Sequence, residues 1–214
     1  MIFVTVLAIW IFSLCLHEYS HARVAYAGGD HTVQDKGYLS FNPFRYMNPM
    51  MSIVLPAVFV AMGWIALPGG AVWIETSRLR SKGWQSGVSL AGPAANVLVC
   101  VALGLPFLLG LHQPTTMWAI LAVSCYWQAV AVVLNLIPIP GLDGYGAIEP
   151  WLPAEVRDWG RRFKPYGLFL MVILFIGVPE FGSFFRGAVG GILEMLQVDE
   201  GLWRAGLGGM RIFR

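Results

Sequence analysis

Charge is what this chain has least of. Of its 214 residues, 12% are Asp, Glu, Lys or Arg, against about 25% in soluble domains, and 57% are hydrophobic. That balance excludes an ordinary soluble enzyme and reads as an integral membrane protein. The net charge of +2 gives no basis for nucleic-acid binding, and the basic residues gather near the ends of apolar runs. Cysteine is equally sparse. Cys15, Cys100 and Cys125 lie inside apolar runs and form no C-x-x-C pair, so they read as packing residues and no disulfide framework is expected. Only four histidines are present (His17, His21, His31 and His112), too few for the histidine-rich membrane di-iron oxygenases. No basic region precedes the first apolar run and no small-residue cleavage site ends it, so a removable signal peptide is not expected. Repeats and low-complexity tracts are absent too. The length suits one compact bundle, residues 1–214 as a single domain without an appended soluble one.

What is present is His17-Glu18-Tyr19-Ser20-His21, an H-E-x-x-H motif ending the first apolar run. On a helix, residues four apart share a face, so both imidazoles reach one metal ion. Glu18 projects about 100° from His17 and about 60° from His21, beside the metal. Two neutral nitrogen ligands with an adjacent carboxylate base are the pattern of a zinc hydrolase. Ser13, His17 and His21 form a polar stripe at four-residue spacing, whereas Cys15 turns about 200° away from His17.

The apolar runs predict an all-α polytopic membrane protein with four to five transmembrane helices. The first span covers 1–27, with the histidines in its last turns, where ionisable groups are costly and usually functional. Residues 28–83 read as a loop region holding two short strands or a hairpin, Tyr38–Phe41 and Val72–Thr76, and a short apolar segment at 51–67 that either crosses the membrane or is re-entrant. His31 reads as a surface residue of this region. Core spans follow at 84–111 and 115–138. In the second, Ser124, Gln128 and Asn135 share a face, and Gln128 is expected to hydrogen-bond neighbouring helices. Residues 139–165 read as a loop and 166–197 as a C-terminal span, interrupted at Glu180 and Arg186, that is either one kinked helix or a span plus an interfacial helix.

A catalytic zinc takes three protein ligands and keeps one position open. Candidates for the third are Asp143, Asp30, Asp35 and Glu75. Asp143 is preferred, because Pro138, Pro140, Gly141 and Gly144 stiffen the backbone around it. Three motifs now stand in order at span ends: H-E-x-x-H, G-P-x-x-N (Gly92 to Asn96) and N-x-x-P-x-P-x-L-D-G (Asn135 to Gly144). Together they resemble the site-2 protease family of intramembrane zinc metalloproteases over most of residues 1–178. The stretch GYLSFNP before an apolar segment is similar to its small bacterial members, which lack PDZ and CBS domains. The resemblance implies one Zn2+ per chain held by His17, His21 and Asp143, with Glu18 as general base. It implies that Asn135 stabilises the oxyanion or positions substrate, and it makes Gly92, Pro93 and Asn96 substrate-positioning candidates. Tyr46 and Asn48 depart from the His and Asp common in that loop among small bacterial relatives.

Shared ligation requires His21 and Asp143 at one membrane depth. A re-entrant 51–67 meets this condition with two crossings between residues 68 and 138. It also gathers Arg23, Lys36, Arg45, Arg78, Arg80, Lys82, Arg157, Arg161, Arg162 and Lys164 on one face, which the positive-inside rule makes cytoplasmic. The expectation is a multi-pass protein of the cytoplasmic membrane cutting transmembrane protein substrates, with accessory membrane regulators as further partners. The competing reading is a non-proteolytic zinc-binding membrane protein, a metal carrier or an inactive protease-like chaperone. A carrier is expected to spread ionisable ligands along several spans, and neither binder needs Glu18.

Overall fold

A computed structural model describes residues 1–42, 45 and 72–210. Three of its helices are long and apolar enough to cross a bilayer: α1 (Ile2–Gly28), α3 (Lys82–Leu108) and α4 (Thr116–Asn135). At 1.5 Å per residue, 27 residues span about 40 Å, more than the ~30 Å hydrocarbon core. Helix α1 ends on Gly29, whose φ of 116° is costly for any residue with a Cβ. Ser81 starts α3 by accepting a hydrogen bond from the Trp84 amide at 3.3 Å.

Helix α4 is the axis of the bundle. Its inward side chains, among them Val123, Cys125, Val130 and Leu134, are buried against α1, α3 and two later helices. Cys100 and Cys125 are both free and buried, with sulfurs 3.7 Å apart across the α3–α4 contact. After Asn135 come α5 (Asp143–Ile148) and α6 (Ala154–Phe163), so 139–165 carries helices where the sequence reads as loop. The C-terminal span resolves into α7 (Gly167–Gly177) and α8 (Pro179–Met195), bent by 99° at the break before Pro179. With that pair counted as one span, the described residues hold four. Helix α9 (Glu200–Met210) was not anticipated. Its glycines weaken it as an isolated helix but let it press on α4, where a Cβ on Gly206 would meet the Ala119 carbonyl at 2.6 Å.

The expected strands are not there. Tyr38–Phe41 is a turn and bend following the short helix α2 (Thr32–Asp35): the Tyr38 amide bonds Val33 O at 2.9 Å and Ser40 Oγ bonds Gly37 O. Residues 72–75 have no strand partner among the described residues, and Thr76–Arg78 is a 3-10 turn. Side chains occupy the backbone groups that a ladder would use, Glu18 on the Val72 amide and Asp30 on the Glu75 amide. Among the described residues there is no strand, and the 51–67 segment lies outside them. The chain leaves α1 and enters α3 at the same end. The Arg80 amide bonds Gly28 O at 3.0 Å, and Leu79 and Trp84 pack on Gly28.

Candidate metal centre

His17 and His21 lie one turn apart on α1, buried and facing α3. Their Nε2 atoms are 3.0 Å apart. Asp143, first residue of α5, brings Oδ2 to 3.2 Å from His17 Nε2 and Oδ1 to 3.4 Å from His21 Nε2. Among the described residues these three are the one group able to share an ion. Two glycines make the approach feasible. A Cβ on Gly92 of α3 would strike both imidazoles, and a Cβ on Gly144 would strike the carbonyls of Leu136 and Ile137. The second contact shows how closely the start of α5 approaches the chain just past the end of α4.

The hydrogen bonds around the imidazoles decide their tautomers. His21 Nδ1 lies 2.6 Å from Val88 O, which only accepts. His17 Nδ1 lies 2.5 Å from Asn96 Oδ1. The Asn96 amide donates to Ser13 Oγ at 3.0 Å and to Gln128 Oε1 at 2.9 Å, and Ser13 Oγ donates to Gln128 Oε1 at 2.6 Å. With its N–H groups spent there, Asn96 turns its acceptor to His17. Both Nδ1 atoms therefore carry the proton, and both Nε2 atoms carry lone pairs. Two nitrogen and two carboxylate acceptors then converge with no hydrogen between them, a cluster that is satisfied by a cation. Tetrahedral zinc with ~2.0–2.1 Å bonds sets neighbouring ligand atoms about 3.3 Å apart, close to the spacings found. The donor set fits zinc.

Glu18 is 4% exposed, next in sequence to His17, and its Oε2 accepts from the Val72 amide at 3.1 Å. Asn135, the last residue of α4, is 7% exposed, and its side chain makes no hydrogen bond to another described residue. Gly92 sits on α3 facing the imidazoles, and the buried Pro93 beside it in sequence removes an N–H from that turn of the helix. The other third-ligand candidates are elsewhere. Asp30 is fully buried on Thr32 and Glu75, Glu75 pairs with Lys36 and Arg78, and Asp35 is exposed. Gln128 does bond across helices, as its place on α4 predicts. Sequence reasoning missed the partners of the site: Val88 O and the Val72 amide, being backbone, leave no trace in residue type. Asn96 did leave one, since it stands four residues past Gly92 on the same face of α3.

Known proteins can now be set beside this geometry. The chain is 42% identical to "Putative zinc metalloprotease Rip2" of Mycolicibacterium smegmatis over 206 residues, 96% of this chain and 79% of that protein. It is 41% identical to the Rip2 protein of Mycobacterium tuberculosis H37Rv over the same length and shares. With "Putative zinc metalloprotease YwhC" of Bacillus subtilis it shares 33% identity over 177 residues, 78% of this chain and 77% of that one. No family model matches the chain, and no solved structure matches it. Identity at this level across most of both chains, with the three motifs in place, shows that the chain belongs to the site-2 protease family of zinc metalloproteases.

Proposed function

We propose that this protein is a zinc-dependent endopeptidase that hydrolyses peptide bonds within or near the transmembrane segments of other membrane proteins. The observation that carries the reading is the convergence of Asp143 with His17 and His21, beside a buried Glu18, on a helix long and apolar enough to cross a membrane. When bound there, zinc supplies a Lewis acid that activates the hydrolytic water and polarises the scissile carbonyl. Asn96 and Val88 lock the imidazoles with Nε2 turned inward. Glu18 takes the proton of the attacking water and delivers it to the leaving amine as the C–N bond breaks. The free amide of Asn135 donates to the oxygen on which negative charge develops.

A substrate helix hides its carbonyls in i→i−4 bonds, so the segment must unwind before attack. The protein sits in the cytoplasmic membrane with the site toward the cytoplasm, which the basic residues at that end of the bundle support. With the protein reconstituted in liposomes, single-span substrates should be cut inside the span near its cytoplasmic end, faster when Gly or Pro weakens the helix. Equal cleavage of an all-Leu span, or cuts confined to soluble tails, would refute the proposal. A protein that binds zinc and cuts neither tail nor span would favour the non-proteolytic reading.

A further inference from the structure

One buried carboxylate near the end of α1 takes no part in the metal centre. Asp30 is 0% exposed, just past the end of α1, and none of its atoms joins the metal centre. Its Oδ1 accepts from the Thr32 amide at 3.1 Å and the Thr32 hydroxyl at 2.6 Å, and its Oδ2 accepts from the Glu75 amide at 2.8 Å. Lys36 works on the same segment, its Nζ reaching Thr32 Oγ1 (3.2 Å), Trp73 O (3.3 Å) and Glu75 Oε1 (3.2 Å). Arg78 closes on the other Glu75 oxygen, and hydrogen bonds from Arg78 and Lys36 hold that carboxyl below its ordinary range. Residues 73–78 are thus tied to the end of α1. One residue before them, the Val72 amide meets Glu18, and the Val72 side chain packs with Leu14, Cys15 and Tyr38.

That amide is the only hydrogen-bond partner the Glu18 carboxylate has among the described residues. A glutamate turns about three torsions, so a carboxylate held at one point takes its orientation from whatever fixes that point. We infer that Asp30 and Lys36 are positioning residues, holding the base Glu18 in its working orientation through the backbone of residues 72–75. The inference rests on the reading of Glu18 as general base. Neither Asp30 nor Lys36 touches substrate or metal: they act through the Val72 amide.

Two variants isolate the path. Asp30→Asn keeps an acceptor for Thr32 but turns an N–H group toward the Glu75 amide, donor against donor. Val72→Pro deletes the N–H that meets Glu18, and Val72→Ala, which keeps it, is the comparison. Full-length protein in liposomes is assayed for kcat and KM on a single-span substrate, for zinc per chain, and for amide hydrogen exchange over residues 72–79. Asp30→Asn should lose about tenfold in kcat with KM within about twofold, keep its zinc, and exchange faster over 72–79. Val72→Pro should lose at least ~10-fold more kcat than Val72→Ala. If Asp30→Asn does not accumulate folded, the proline–alanine ratio decides alone. Wild-type kcat in Val72→Pro, or zinc loss accounting for the Asp30→Asn defect, overturns the inference. Glu18→Gln separates the levels. If it still cleaves, the proposed function falls, whereas a silent Glu18→Gln beside fully active Asp30→Asn and Val72→Pro sinks the positioning role alone.

Discussion

Replacing Gly92 by alanine adds one methyl group, and its neighbours determine the outcome. The new Cβ would stand 2.5 Å from His17 Nε2 and 2.6 Å from His17 Cε1, with His21 Nε2 nearer still. Heavy atoms in contact prefer about 3.5 Å, so an imidazole must withdraw by about 1 Å. Neither ring is free to do so, because Asn96 and Val88 hold their far nitrogens. Metal–ligand distances tolerate about 0.2 Å, so a ring displaced this far no longer holds zinc alongside its partner. Fold stability should move little: overpacking costs ~1–3 kcal/mol, offset by the ~1 kcal/mol that alanine gains over glycine inside a helix. The expected result is a folded protein whose zinc affinity drops at least ~100-fold, the upper end for loss of a ligand's supporting contact. Zinc per chain after dialysis against graded chelator, read beside the melting temperature, measures both. Gly187→Ala is the control, since a Cβ there meets nothing within 4 Å. Full zinc affinity in Gly92→Ala would refute the packing argument and with it the site as drawn.

Other perturbations follow from the same contacts. Asn96→Leu removes the acceptor for His17 Nδ1 and should weaken zinc binding by about 10–100-fold, measured by chelator competition. Gly144→Ala drives a Cβ into the Leu136 and Ile137 carbonyls, so Asp143 should be displaced and zinc lost while α1, α3 and α4 stay folded by circular dichroism. Removing the metal with chelator should abolish cleavage and lower the melting temperature, by mass action on a site that forms only in the folded protein. Zinc added back should restore both.

Much of the bundle was legible because lipid imposes one rule on every exposed residue. Apolar runs of about 20 residues must be helices, and α1, α3 and α4 fall where those runs are. Asp143 was legible for a related reason, since prolines and glycines stiffen the turn that carries it. The strands misled because the short apolar and aromatic runs at 38–41 and 72–76 have strand-like composition, while the partners that decide the matter lie elsewhere in the chain. Val33 O, Glu18 and Asp30 claim those amides instead. Helix α9 hid behind its glycines, whose low propensity is overridden by close packing on α4. The second layer of the site was least legible. Asn96 hydrogen-bonds His17 through a choice of amide orientation that Ser13 and Gln128 enforce from two other helices, and no local pattern encodes that convergence.

The central claim is that His17, His21 and Asp143 hold the metal while Glu18 moves the proton. Glu18→Gln tests it in a single preparation, assayed for zinc per chain and for single-turnover cleavage of a membrane-embedded substrate. The account predicts one zinc per chain, as in wild type, and cleavage slowed by roughly 10²–10⁴-fold. Cleavage at the wild-type rate would contradict the role of Glu18, and loss of zinc would make it a ligand instead.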